Sequence, residues 1–207
     1  LFLNINFLLC ELNIILKEYL MEYHKTNNPD IRNYFNNINR FKEVLNGETI
    51  PLLDTSKVTN MSNMFDSCGS LQTIPELDTR KVINMNYMCY TFFGSQNLVK
   101  LPKIYCDSCT NFYKFFSFSD SYTLNNLTDV GGWINLKYNF NSEGCLAAVP
   151  NLTYQSCINV LNGLYDFTGN GETPTNEQGQ LKVHQNFINL VGDEISIGTN
   201  KGWTITA

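Results

Sequence analysis

Leu53–Met88 reads LDTSKVTNMSNMFDSCGSLQTIPELDTRKVINMNYM and holds one pattern twice. Leu53-Asp54-Thr55 returns as Leu77-Asp78-Thr79, Val58 as Val82, Asn60-Met61 as Asn84-Met85 and Met64 as Met88, always at one and the same interval of two dozen positions. Prolines carry the register onward, at Pro51, Pro75, Pro102 and Pro150. Two residues past each anchor stand Leu53, Leu77, Ile104 and Leu152; seven past, Val58, Val82, Cys109 and Cys157. Nine past stands an asparagine every time: Asn60, Asn84, Asn111 and Asn159. Ten past come Met61, Met85, Phe112 and Val160, and fourteen past Phe65, Cys89, Phe116 and Leu164. The interval from Pro102 to Pro150 is twice that from Pro51 to Pro75, so the last gap reads as two periods.

A unit of this size cannot bury its own apolar face and must stack on its neighbours. The period lies within the roughly 20–29 residues expected when each unit supplies one strand and one short helical or irregular segment. Leu71–Leu77 reads as extended, because Pro75 restricts the residue before it to β or polyproline geometry and suits the edge of a strand. Met61, Met64 and Phe65, like Met85 and Met88, have the spacing of one face on a short helical turn. For the recurring asparagine two roles stand: a cap on that turn, or a place inside it, satisfying buried backbone groups and stacking from unit to unit. Both roles are structural.

Outside the repeats the pattern changes. Residues 11–23 and 30–46 carry apolar side chains at helical spacing, the second run from Ile31 through Tyr34, Phe35, Ile38 and Phe41 to Leu45. Asp30 suits its N-cap and Gly47 its stop, and such helices commonly seal the first layer of a stack. Residues 1–20 are strongly apolar but interrupted by Glu11, Lys17 and Glu18, which argues against a membrane span. They read either as part of a capping helix or as a stretch upstream of a start at Met21. Near the other end, Cys157, Val160, Leu161, Leu164 and Tyr165 form a helical stripe, with Thr153 or Ser156 as N-cap and Gly169-Asn170-Gly171 as its end. Residues 169–179 then read as an exposed loop, Leu181–Val183 and Trp203–Ile205 as strands, and 187–199 as a stretch whose helicity is left open by Ile195–Gly198. The organisation that follows is a helical segment over 1–47, repeats over 48–126, and an atypical repeat with a capping unit over 127–207.

The repeat residues resemble a known family. Residues 53–71 match almost position for position the BspA-like, leucine-rich-repeat-related surface repeats, whose units read approximately L-D-T-S-x-V-T-N-M-x-x-M-F-x-x-C-x-S-L. The next unit departs at Arg80 and Cys89, and the third, from Leu101, keeps mainly the proline and asparagine framework. Leu127–Trp133 and the ending Thr199–Thr204 are similar to the final segments of related bacterial and phage-encoded proteins. The resemblance implies an α/β solenoid: a leucine-rich-repeat-like, right-handed stack of short parallel strands with short helical turns, a helical N-terminal region and a distinct C-terminal cap. It also implies a cell-surface or secreted protein, with a virion or the cytoplasm as alternatives, and it brings no catalytic residues to carry over.

Composition narrows the function. In 207 residues, 14 Lys and Arg stand against 19 Asp and Glu, a formal charge of -5 with no basic stripe, so no nucleic-acid partner is expected. Seven cysteines, at irregular spacing, argue against a disulfide-stapled scaffold. Cys106-x-x-Cys109 is the most tempting chemical motif, but a zinc site needs two more ligands, and Cys109 falls at the offset of Val58 and Val82, which points inward. His184 could meet Cys157 or Cys145 only by arithmetic, and neither a calcium loop nor a phosphate-binding fingerprint is read. The expectation is therefore no enzyme, no cofactor, no metal and no membrane span. The leading reading is a binding or adhesion module for a protein or glycan ligand; an assembly component, possibly of a phage appendage, and an intracellular interaction scaffold are the alternatives. The candidate surface comprises Lys57, Arg80, Lys81, Tyr87 and Tyr105, with Ser56, Asp107, Ser108, Tyr90 and Tyr113 beside it.

Overall fold

The computed structural model describes residues 54–65, 71–89, 97–113, 115, 123–139 and 146–207. The expected helices at 11–23 and 30–46, together with Pro51, Leu53, Tyr90 and Phe116, lie outside the described residues. So do His24, Cys10, Cys68 and Cys145.

Within the described residues, neighbouring stretches meet in parallel at nearly constant separation. Asn60 pairs with Asn84 and Asn84 with Asn111, and Thr73 pairs with Lys100. Strand β1 (Lys100–Leu101) pairs with β3 (Asp129–Val130), and β2 (Ile104–Tyr105) with β4 (Trp133–Ile134), all parallel. Partners lie one repeat apart in the chain, which leaves room for the crossover that parallel pairing demands. Each strand is only two residues long because the chain turns at every corner: Val58 N–H donates to Thr55 O, Val82 N–H to Thr79 O and Cys109 N–H to Cys106 O.

The repeat positions face one core. Val58, Val82 and Cys109 are buried, as are Met61, Met85 and Phe112, and Leu77, Ile104 and Trp133. Met64, Met88 and Phe115 form another buried column, and the Phe115 and Trp133 rings meet edge to face at 6.0 Å. Each such side chain contributes about 1.5–3 kcal/mol when fully buried, so the columns are the main source of cohesion between layers.

The Met61 and Met85 segments are turns, not the short helical turns expected. Met64 N–H donates to Met61 O and Met88 N–H to Met85 O, both at 3.2 Å, while Asn63 and Tyr87 take φ of 55° and 54°. The cause is competition for N–H groups. Met61, Asn63 and Phe65 donate to Asn84, Asn86 and Met88 of the next layer at 2.8–2.9 Å, so nothing is left for an i→i−4 ladder. Met85, Tyr87 and Cys89 repeat the arrangement onto Asn111, Tyr113 and Phe115.

The recurring asparagines do two things at once. Their backbone carries the interlayer ladder, and their side chain closes the local turn: Asn60 Oδ1 accepts from Ser62 N–H at 3.0 Å, Asn84 Oδ1 from Asn86 N–H at 2.9 Å and Asn111 Oδ1 from Tyr113 N–H at 3.3 Å. Asparagine suits this role because its carbonyl reaches the amide two residues on.

Pro150 and Asn159 depart from the register assigned to them. Because Lys100 lies opposite Asp129, the level of Pro102 is taken in the next layer by Gly131, not by a proline. A Cβ on Gly131 would stand 2.5 Å from Lys103 N, so that level admits only glycine. The following layer enters at Thr153, whose N–H donates to Thr128 O at 3.0 Å, beyond Pro150. Asn159 then lies within helix α1 (Tyr154–Gly163), its Nδ2 donating to Val130 O and its Oδ1 accepting from Gln155 Nε2. Leu152, Cys157, Val160 and Leu164 are buried all the same, through a helical stripe.

Helix α1 covers the edge that β3 and β4 would leave open. Thr153 caps it, accepting from Ser156 N–H. The buried Ser156 hydroxyl donates to Thr128 O at 3.0 Å and accepts from Val130 N–H at 2.9 Å, standing in for a missing strand. The helix stops at Gly163, earlier than the Gly169-Asn170-Gly171 end expected, because Leu164 pairs with Leu136 and Tyr165 N–H donates to Leu136 O. The remainder is strand β5 (Gln180–Lys182), helix α2 (Gln185–Val191), a 3-10 turn (Gly192–Ile195), helix α3 (Ser196–Thr199) and strand β6 (Thr204–Thr206), with β5 and β6 parallel. Lys201 Nζ ties the end of α1 by donating to Leu161 O, Asn162 O and Leu164 O at 2.7–3.2 Å, a cation at the negative end of the helix. Gly202, at φ 88°, turns the chain into the last strand, and Trp203 Nε1 donates to Tyr165 O at 2.9 Å.

Candidate functional site

The stack places the candidate residues at two kinds of corner. The first follows each Leu-Asp-Thr. Asp54 Oδ1 accepts from both Ser56 N–H and its hydroxyl, and Asp78 Oδ1 accepts from Arg80 N–H, so both carboxylates close local turns. Arg80 also forks onto its aspartate, Nε to Oδ1 at 2.8 Å and Nη2 to Oδ2 at 2.5 Å. That guanidinium holds the Asp78 carboxyl down at about 2. Lys57 and Lys81 are exposed one layer apart, and Ser108 Oγ donates to Arg80 O. Asp107 accepts from Asn135 Nδ2 at 2.6 Å, extending the polar surface to the fourth layer. Tyr105 is half-buried.

The second corner follows each asparagine. Tyr87 is half-buried and Tyr113 exposed, and their rings meet edge to face at 5.5 Å. Tyr113 N–H also donates to Asn86 Oδ1 at 3.0 Å, which fixes the backbone beneath the ring. Ile83, the residue before Asn84, is 51% exposed, and it links Thr59 to Thr110 through its own N–H and C=O.

Two threonines absent from the candidate residues hold the first corner in place. Thr79 is fully buried; its Oγ1 donates to Tyr105 O at 2.9 Å and accepts from Tyr105 N–H at 2.7 Å. Thr55 Oγ1 accepts from Asp78 N–H at 2.7 Å in the layer before. The recurrence of Leu-Asp-Thr at Leu53 and Leu77 is the signal that points to them, since a threonine repeated at one offset is a position under constraint.

Cys106, Cys109, Cys157 and His184 are engaged in packing and capping. Burial pushes the Cys106 thiol well above its usual range, Cys109 to about 12 and Cys157 to about 11. Cys109 Sγ lies 3.4 Å from Ile83 O, and Cys106 Sγ 3.5 Å from Ile104 O. A thiol kept protonated in this way is a poor nucleophile and a poor metal ligand. His184 caps α2, its Nδ1 accepting from Asn186 N–H at 3.1 Å. Among the described residues no group of three or more His, Cys, Asp or Glu could hold a metal ion, and no helix is long and apolar enough to cross a membrane.

A distinct polar cluster joins Lys137, Tyr165 and Glu172. Lys137 Nζ bonds Glu172 Oε2 at 2.6 Å and stands 4.5 Å from the centre of the Tyr165 ring, while Tyr165 Oη donates to Glu172 Oε1 at 2.8 Å. The lysine lowers the Glu172 carboxyl, and the three groups satisfy one another. The cluster pins the loop after Phe167 to the fourth layer.

Comparison with the curated proteins and with the solved structures found no match. The family described as Mycoplasma protein of unknown function, DUF285, matches residues 29–143, which is more than half of the chain, and the chain belongs to that family.

Proposed function

We propose that this protein is an α/β solenoid of BspA-like repeats that works as a non-catalytic binding or adhesion module, at a cell surface or secreted. The reading is supported above all by the parallel pairing of Asn60 with Asn84 and of Asn84 with Asn111. That pairing brings side chains from separate units into aligned outward columns, and repeat proteins bind ligands on surfaces built in this way. The surface location is proposed on the resemblance of residues 53–88 to surface repeats.

Among the described residues the outward positions differ in kind: the Arg80 corner is charged and the Tyr113 corner neutral and aromatic. Protein and glycan ligands both fall within the reading. The test is a screen of the full chain against matrix proteins, glycans and intact host cells, beside a variant with Lys57, Lys81, Tyr87 and Tyr113 all replaced by serine. Retention that drops in the variant supports the proposal. Equal retention by both chains rejects it.

A further inference from the structure

Resting on the binding-module reading, we propose that the neutral corner of the stack, built on Asn60, Asn84 and Asn111 with Tyr87 and Tyr113, is a site for an uncharged glycan chain. The three asparagines pair in parallel, so their amides recur at the spacing of adjacent strands, about 4.8 Å. In each, the turn's own N–H groups hold Oδ1. An amide has its acceptor at one end and two donors at the other, so holding Oδ1 on the turn leaves Nδ2 on the side away from those N–H groups. Among the described residues no protein acceptor meets these three Nδ2 groups, and none of them is sealed from solvent. The result is a row of aligned donors repeating from layer to layer, a periodicity that suits a polymer of acceptors more than a single small molecule.

Beside the row lies apolar ring surface. Tyr113 is 40% exposed and is braced edge to face by Tyr87, with its backbone held by Asn86. Tyrosine offers large contact area at little entropic cost, and the C–H face of a sugar ring stacks on such a surface while its hydroxyls accept from amides. Charge selects among sugars. The column before the asparagines is Thr59, Ile83 and Thr110, so apart from the tyrosine hydroxyls the described residues of this face carry no ionisable group. Among the described residues of this face a sulfated or carboxylated glycan finds no matching charge, and an uncharged one loses none of its hydration to an unpaired ion.

The experiment offers the full chain cellohexaose, mannohexaose, a hexamer of N-acetylglucosamine, a heparin hexasaccharide and matrix proteins, in low and in molar salt. Two variants probe the face: Tyr113→Ala, and Asn84→Asp, which keeps the acceptor for Asn86 N–H while removing the Nδ2 donors. Tyr154→Ala, an exposed tyrosine on α1, is the control. The expected result is salt-insensitive retention on a neutral hexasaccharide, falling roughly tenfold in both face variants and unchanged in the control. Retention on heparin alone, or neutral-sugar retention equal in all variants, overturns the inference. Binding to matrix proteins without any neutral sugar sinks the glycan site and leaves the binding-module reading standing. Failure to retain any probe sinks both.

Discussion

Thr79 reaches one layer along the stack and takes both backbone polar groups of Tyr105: Oγ1 accepts from Tyr105 N–H at 2.7 Å and donates to Tyr105 O at 2.9 Å. A fully buried hydroxyl thus replaces a rung of the ladder at a corner where the two backbones cannot pair directly. Thr79→Val preserves shape but removes both bonds, stranding a donor and an acceptor. Loss of about 1–3 kcal/mol is expected in urea unfolding, and Thr79→Ser should recover most of it because the hydroxyl returns. A valine variant as stable as the parent would remove the interlayer role.

Ser156 does the same work at the other end of the stack. Its hydroxyl closes the edge at Thr128 O and Val130 N–H, and the residue is buried. Ser156→Ala should cost about 1–3 kcal/mol and, more tellingly, should speed amide exchange at Val130. Hydrogen exchange followed by mass spectrometry separates this from a general loss of stability: exchange in the Met85 and Phe112 turns should change only as far as the global stability does. Uniform acceleration along the chain would mean that α1 does not act as a local lid.

How far these contacts are legible in the sequence depends on what kind of signal each leaves. Apolar columns such as Val58, Val82 and Cys109 are legible because inward positions repeat in identity or volume. The recurrence of Leu-Asp-Thr marks Thr55 and Thr79 as constrained, but threonine is neutral in an in–out pattern, and only its partner one layer away shows that it is buried. Spacing alone makes the turn at Met61 look helical, whereas the N–H groups that decide between helix and turn are claimed by carbonyls of the next layer. Pro150 misleads for a related reason: the anchor is a residue type, and the fourth layer fills that level with Gly131. Of the candidate surface, Lys57, Arg80 and Lys81 are exposed as read, but the tie between Arg80 and Asp78 is a matter of rotamer that no spacing encodes.

The Arg80–Asp78 pair makes a modest, pH-dependent contribution. The arginine lowers the folded carboxyl from its ordinary value, about 3.9 in an unfolded chain, to about 2. A depressed carboxylate stabilises the fold above the unfolded value and loses that contribution as pH falls through the folded one. Arg80 is 65% exposed at its side chain, so solvent screens the pair and keeps its contribution small. Arg80→Met should therefore be slightly less stable than the parent at neutral pH, with the gap closing between about pH 4 and pH 2. Urea unfolding of both chains across that window checks it; a gap that widens as the solution becomes acidic would assign the wrong sign to the interaction.

The buried thiols lead to a prediction about reactivity. Burial raises Cys109 to about 12 and Cys157 to about 11, and Cys106 moves the same way. At neutral pH the thiolate of Cys109 is then on the order of one in a hundred thousand molecules, against a few per cent for a free cysteine near 8.5. In the folded chain, iodoacetamide should label these three sites far more slowly than free cysteine, and labelling should rise with urea in step with unfolding, since both the proton and the packing protect the sulfur. Peptide mass spectrometry resolves the sites one by one. Zinc added beforehand should leave the labelling of Cys106 and Cys109 unchanged, because metal binding needs thiolates that this core does not release. Rapid labelling of either residue in the native chain, abolished by zinc, would instead make the Cys106-x-x-Cys109 turn a metal site and give this corner of the stack a chemical role beyond packing.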